Sequence, residues 1–464
     1  MKMKSIRKSR IARALPLAAL ALILVLGSFT LASADEEKDD RVQDGNLNDP
    51  AKAAITKILQ MPDGTTTPDH TYTFTIAAIS GPTDYAKPPV IAPTQAAFDS
   101  NSEATSTSGG IKTLHYQTGD ILDGVTWPES GIYTYEVTES QTNNVDANTT
   151  VYNNSESVKE DLDYSKAKYE IQVYVAWDED ENELFVRYVK AHRTVDDKGV
   201  AAENNTGNKV NAAPDAGASD DSIGHDFSGM DFTNTFVRTN IKDFDEDDGL
   251  INNTSTGALY IEEKIGGTST GAIEYADPNH PFLVTVTLAK PSLVTQAAFD
   301  AYLVDSTGAK VTNPVTSYSS ITVEGQQVDT NKYIFSDKTA QGVKLRDGER
   351  LVFVNLPVGT TYSAIQEDTS NYTVKLRVQY NNDTILDSTS SGKGEGISTS
   401  YAGAAAMVGE NVVNSAVFSS SYGLPVPGGV FVDNLPYVML IVLVAAGLAA
   451  YVFSRSRRRR RGAR

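Results

Sequence analysis

The 464-residue sequence contains no cysteine, which excludes disulfides, thiolate nucleophiles and thiolate-ligated metals; any covalent staple must come from other side chains. Histidine is almost as scarce. His70, His115, His192, His225 and His280 stand far apart with no ligand-like spacing, so neither a zinc site nor any other metal site is expected. No histidine-containing catalytic constellation is present, which argues against a surface hydrolase. Positive charge is also in short supply. Of the 40 basic residues, six precede Ala34 and seven follow Phe453, leaving 27 basic against 59 acidic residues between them. That balance argues against nucleic acid as a partner and suits a soluble, exported surface protein. A long helical period is missing everywhere except at the two ends.

The ends carry targeting chemistry. Lys2, Lys4, Arg7, Lys8, Arg10 and Arg13 precede an apolar run from Leu15 to Leu26 and the small-residue site Ala32-Ser33-Ala34, the pattern of a secretory signal peptide over 1–34. A retained N-terminal anchor is the plainer alternative. At the other end, Leu424-Pro425-Val426-Pro427-Gly428-Gly429 opens a Pro/Gly segment and spacer over 422–434. An apolar stretch at 435–453 follows, then a basic tail at 454–464 with five arginines from Arg457 to Arg461. Nineteen residues at about 1.5 Å each span about 28 Å, one hydrocarbon core, and the arginines keep their end cytoplasmic. The intervening chain is therefore expected outside the membrane.

The exported part is long enough for two domains and reads as all-β. Thr71–Ile76 and Ile132–Thr138 alternate polar with apolar residues, and Tyr169–Trp177 with Leu184–His192 predicts a hairpin around Asp178–Asn182. Polar stretches at 100–110, 141–160, 201–226 and 386–400 read as surface loops. The acidic segment 241–256 divides a first half (35–240) from a second (257–421). Its aspartates invite a calcium reading, but Gly249 comes one place late for an EF-hand loop and Thr254 replaces the closing Glu, so a solvated linker fits better. Thr-Gln-Ala-Ala-Phe-Asp occurs at both 94–99 and 295–300 and hints at duplication.

Strand parity singles out three polar residues in the first half. Lys57 alternates with Ala53, Ile55 and Leu59; Glu139 continues Tyr133, Tyr135 and Val137; Asn234 lies between Phe232 and Phe236. Each sits on the apolar face of its strand and needs a partner or a reaction. Burial favours a neutral amine on Lys57 and a protonated acid on Glu139. A buried Lys–Glu ion pair with Asn as hydrogen-bond partner is the non-reactive alternative.

Lys57-Ile58-Leu59, Tyr135 to Glu139 and Phe232 to Phe236 resemble the streptococcal T-antigen-type major pilin domain, the pilin isopeptide linker family. The resemblance covers about residues 50–240. It implies an intramolecular isopeptide bond with Lys57 as nucleophile, Asn234 as acceptor and Glu139 as catalytic acid, one turnover on itself and therefore not an enzyme. No cofactor is implied. The C-terminal order of Pro-Gly motif, apolar span and arginines resembles the sorting signal of Gram-positive sortases. The frames Leu424 to Gly428 and Val426 to Gly429 both depart from the Leu-Pro-x-Thr-Gly pattern at the Thr position, and a retained membrane anchor is the other reading. The expected architecture is two tandem immunoglobulin-like β-sandwiches. The expected role is a cell-wall- or pilus-linked structural subunit, with a sortase, peptidoglycan or other subunits as partners. The alternative is a monomeric adhesin with a host or matrix ligand.

The second half looks like the companion β-sandwich domain of such pilins and adhesins, but at the three reactive positions it carries Glu263, Gln366 and Ser420, with Lys264 in the outward parity. No equivalent isopeptide bond is expected there. β-Bulges would offer Lys264, Glu367 and Asn414 instead.

Overall fold

A computed structural model describes residues 44–422 apart from 84–86, 141–150, 155–157, 203–208, 215–226, 242–243, 246–249, 252–257, 267–276, 312–321, 324–325, 328–330, 367–371, 391–395, 400–405 and 411–412. The signal-peptide and C-terminal readings, including Leu424 to Gly429 and the apolar span 435–453, lie outside the described residues, as do His225, most of the 241–256 segment and Glu367. Among the described residues every regular element is a strand, and no helix is long and apolar enough to cross a membrane.

Two pairs of sheets each enclose their own apolar core. In the first pair, one sheet runs in the order Ser106–Ser108, Ile111–Gln117, Thr56–Pro62, Asp231–Ile241, Val158–Asp163, Val151–Asn154. The other runs Lys209–Val210, Glu183–Val195, Lys168–Asp178, Gly131–Ser140, His70–Ser80, Thr94–Phe98. Period-2 alternation puts Leu59, Phe232 and Phe236 of one sheet against Tyr72, Phe74, Tyr133 and Val137 of the other, all buried. The Lys168–Asp178/Glu183–Val195 hairpin forms as the alternation predicts. Its turn is closed by Asp178, whose Oδ1 accepts from the Asp180 and Glu181 amides, and by Asn182, which takes φ 58°.

In the second pair, the larger sheet runs Lys332–Ser336, Ala298–Val304, Arg350–Phe353, Leu259–Ile265, Ser415–Tyr422, Tyr372–Tyr380, Asp383–Thr389. It faces a sheet of Gln341–Leu345, Phe282–Ala289, Thr361–Gln366 and Ile397–Ser398, with Ala406–Met407 also on Thr361–Gln366. Asn381 and Asn382 both have positive φ (50° and 74°), the conformation a two-residue hairpin needs between paired Tyr380 and Asp383.

Each pair joins its first and last long strands in parallel. Lys57 aligns with Phe232, and Glu263 with Phe418. The remaining ladders are antiparallel.

Two expectations are corrected, and one contact carries no sequence signal. The repeated hexapeptide does not mark equivalent elements: Thr94–Phe98 lies at the edge of its sheet, whereas Ala298–Val304 lies between two partners in the opposite kind of sheet. Parts of the polar stretches are strands: in Val158–Asp163, Glu160 and Leu162 are buried, and 386–389 belongs to Asp383–Thr389. Just before the expected linker, most of which lies outside the described residues, the last strand of the first half pairs with the second half. Thr239, Asn240 and Ile241 pair with Pro357, Leu356 and Asn355 of the second half. Arg238 reaches Glu160 at 3.0 Å and Glu410 at 2.9 Å, Glu410 accepts from the amide and hydroxyl of Thr66, and Asn240 Nδ2 donates to Gly409 O.

Candidate functional site: a buried lysine, glutamate and asparagine

The parallel ladder of Thr56–Pro62 on Asp231–Ile241 sets the geometry. Lys57 is opposite Phe232, so Asn234, two residues on, lies diagonally beside it on the same face. Glu139 comes from the facing sheet, opposite Phe74 in its own ladder. The two sheets thus bring together the three residues that parity selected. Both the Lys57 and Glu139 side chains are fully buried, as is Asn234.

Lys57 Nζ lies 3.0 Å from Glu139 Oε2 and donates to the Phe232 carbonyl at 3.0 Å. It sits 4.6 Å from the centroid of the Tyr72 ring. The Asn234 amide donates to Glu139 Oε1 at 2.9 Å. One carboxyl therefore holds both reactants, one on each oxygen.

Burial dominates the electrostatics. Removal from water pushes the Lys57 ammonium down to about 8, against the opposing pull of Glu139, and pushes the Glu139 carboxyl up, against that of Lys57. Both shifts favour the neutral amine and the protonated acid.

Two residues that parity did not single out complete the site. The Ser165 amide donates to Asn234 Oδ1 at 2.7 Å, which fixes the carboxamide orientation and aims a donor at the oxygen that becomes negative if Cγ is attacked. Asp197 Oδ1 accepts from Ser165 Oγ at 2.6 Å and from the Thr233 amide at 2.8 Å, tying the Ser165 turn to the last strand. A backbone donor carries no residue signature, and Asp197 lies in a polar turn like many others in this sequence.

In the second sheet pair, Glu263, Gln366 and Ser420 are fully buried. They occupy matching places: Glu263 is opposite Phe418 with Ser420 two residues on, and Gln366 is opposite Val284 in the facing sheet. Lys264 points outward to Glu262 at 3.4 Å, with its side chain 51% exposed. Asn414 is buried, but its side chain is committed to the Ala258 and Gly409 carbonyls and the Asn381 and Gly409 amides. The bulged alternative therefore has no nucleophile beside its acceptor. Among the described residues no cluster of potential metal ligands is found.

Residues 257–400 match a family described as a domain of unknown function (DUF7601). No curated protein matches the chain. Among solved structures, the chain is similar to the major pilin from Streptococcus pyogenes at 18% identity, over 81% of this chain and 99% of that one, with a TM-score of 0.29. It is similar to the T3.2 major pilin of S. pyogenes at 15% identity, over 82% and 99%, with a TM-score of 0.28. It is also similar to a Mobiluncus mulieris adhesin containing intramolecular disulfide, isopeptide and ester cross-links, at 12% identity over 80% and 100%, with a TM-score of 0.20.

Proposed function

We propose that this chain is a structural subunit of a Gram-positive cell surface, pilin-like, in which Lys57 and Asn234 become joined by an isopeptide bond. The observation that carries the reading is the single buried Glu139 carboxyl bridging Lys57 Nζ and Asn234 Nδ2. In that arrangement the neutral amine attacks Asn234 Cγ while negative charge builds on Oδ1, against the Ser165 amide. Glu139 carries a proton from Lys57 Nζ to Asn234 Nδ2; the Cγ–Nδ2 bond breaks and ammonia leaves. The product is an amide between the first and last strands, formed once per molecule.

Export, sorting and attachment follow from the sequence of the two ends. The basic and apolar leader and Ala32-Ser33-Ala34 direct secretion. Val426-Pro427-Gly428-Gly429, the apolar span and the arginines present a sorting substrate to a sortase, which links the chain to peptidoglycan or to another subunit. The test is twofold. Intact mass of the secreted protein should fall short of the sequence mass by at least one ammonia, with Lys57 and Asn234 peptides joined. A denaturing gel of wall extracts should show a high-mass ladder. Separate Lys57 and Asn234 peptides would remove the cross-link, and a single band would replace the fibre subunit with a monomeric wall-anchored adhesin.

A further inference from the structure

The second sheet pair, like the first, holds a nucleophile, a carboxyl and a carboxamide, in permuted positions and with a hydroxyl in place of the amine. In the first, the first strand supplies the nucleophile, the facing strand the acid and the last strand the carboxamide. In the second, the first strand supplies a carboxyl (Glu263), the facing strand a carboxamide (Gln366) and the last strand a hydroxyl (Ser420). We propose that Gln366 and Ser420 are joined by an intramolecular ester, with Glu263 relaying the proton.

Three observations carry this. First, Gln366 Nε2 lies 3.1 Å from Ser420 Oγ, so the carboxamide and the hydroxyl are in contact across the sheet interface. Second, among the described residues Gln366 Oε1 is buried without a hydrogen-bond partner, and nothing but Ser420 reaches the buried Glu263 carboxyl. Non-covalent packing gives no reason to bury an unsatisfied carboxamide oxygen beside a carboxyl, because each is costly to remove from water. Third, the Glu263 carboxyl lies beside the Ser420 hydroxyl and amide; burial raises it well above the usual range and favours its protonated form, while those two groups pull it down.

The step balances without a co-reactant. Ser420 Oγ attacks Gln366 Cδ, the Cδ–Oγ bond forms and the Cδ–Nε2 bond breaks. The hydroxyl proton passes to Glu263 as the Glu263 proton passes to the departing nitrogen, and ammonia leaves. An ester is less stable than a carboxamide in water. Here escape and protonation of ammonia draw the reaction forward, and a core closed to water protects the product from hydrolysis. Glu263, again protonated, is left as a donor for the ester carbonyl.

The inference does not depend on the Lys57–Asn234 amide, and the chemistry of the two links separates them. The full-length secreted chain is digested and mapped before and after alkaline hydroxylamine, which cleaves oxygen esters and leaves amides. Peptides carrying Gln366 and Ser420 should be joined, lighter by one ammonia, and separated by hydroxylamine, while any Lys57–Asn234 join survives. Ser420→Ala and Glu263→Gln should each retain one more ammonia than wild type, after allowing for the substitution. Recovery of the Gln366 peptide unjoined from folded wild-type protein would overturn the proposal. So would a join between Glu263 and Ser420 with loss of water, or a join that survives hydroxylamine. Because the wild-type map decides alone, failure of a variant to fold leaves the test intact.

Discussion

Replacing Asn234 with Ala removes the acceptor while leaving Lys57 and Glu139 paired, which makes it the cleanest measure of what the first link contributes. The proposed link closes a loop of 177 residues, from 57 to 234. Chain-entropy treatment of a cross-link of that length gives about 5 kcal/mol. The lost Ser165-to-Asn234 hydrogen bond adds about 1 kcal/mol. For a domain of this size each kcal/mol moves Tm by about 2–4 °C, so the transition should fall by about 12–24 °C. Calorimetry of the full chain, with intact mass on the same samples, is the assay. Glu139→Ala should also restore the ammonia and fall at least as far, because it leaves Lys57 buried without its counter-charge. If the wild-type peptides are joined and Asn234→Ala nevertheless melts within about 3 °C of wild type, the loop-closure reasoning is refuted.

Asp197→Ala should slow formation of the Lys57–Asn234 link without abolishing it, since Ser165 loses its tether but keeps its amide; the joined fraction against time after refolding reads this directly. Glu263 gives a pH prediction. Its carboxyl is raised well above 4.5, so the fold binds a proton that the unfolded chain has released. Its contribution is full below about 4.5 and is lost as pH rises toward the folded value. Glu263→Gln should therefore flatten the decline of Tm between about pH 5 and 8; an unchanged slope counts against a buried carboxyl. Arg238→Ala leaves Glu160 and Glu410 without their shared cation, and should lower stability by about 1–3 kcal/mol in denaturant melts and separate the transitions of the two sheet pairs.

The site was legible because period-2 alternation is a strong signal where one face is apolar. A lysine, a glutamate and an asparagine each interrupting an aliphatic or aromatic series are conspicuous, and the structure places all three side chains inside. The same parity found Glu263, Gln366 and Ser420. The rest depended on tertiary placement. Pairing order is set by which apolar faces meet, so a shared hexapeptide ended at an edge in one half and inside a sheet in the other. Glu160 sits in a stretch whose composition reads as a loop, yet it is buried on a strand opposite Arg238, whose guanidinium it meets at 3.0 Å. The Asn355–Pro357 pairing with the preceding half has no local signature at all.

The parallel alignment of first and last strands in both sheet pairs also fixes which residues a pull along the chain can reach. Parallel neighbours drawn from opposite ends slide past each other, so their whole ladder resists at once instead of opening one rung at a time. With Lys57 bonded to Asn234, everything between them becomes a closed side branch that transmits no force. The surface carried by that branch, from the Ser106–Ser108 edge to the Asp178–Asn182 turn, is then free to change in sequence and length without altering how far the chain extends when pulled.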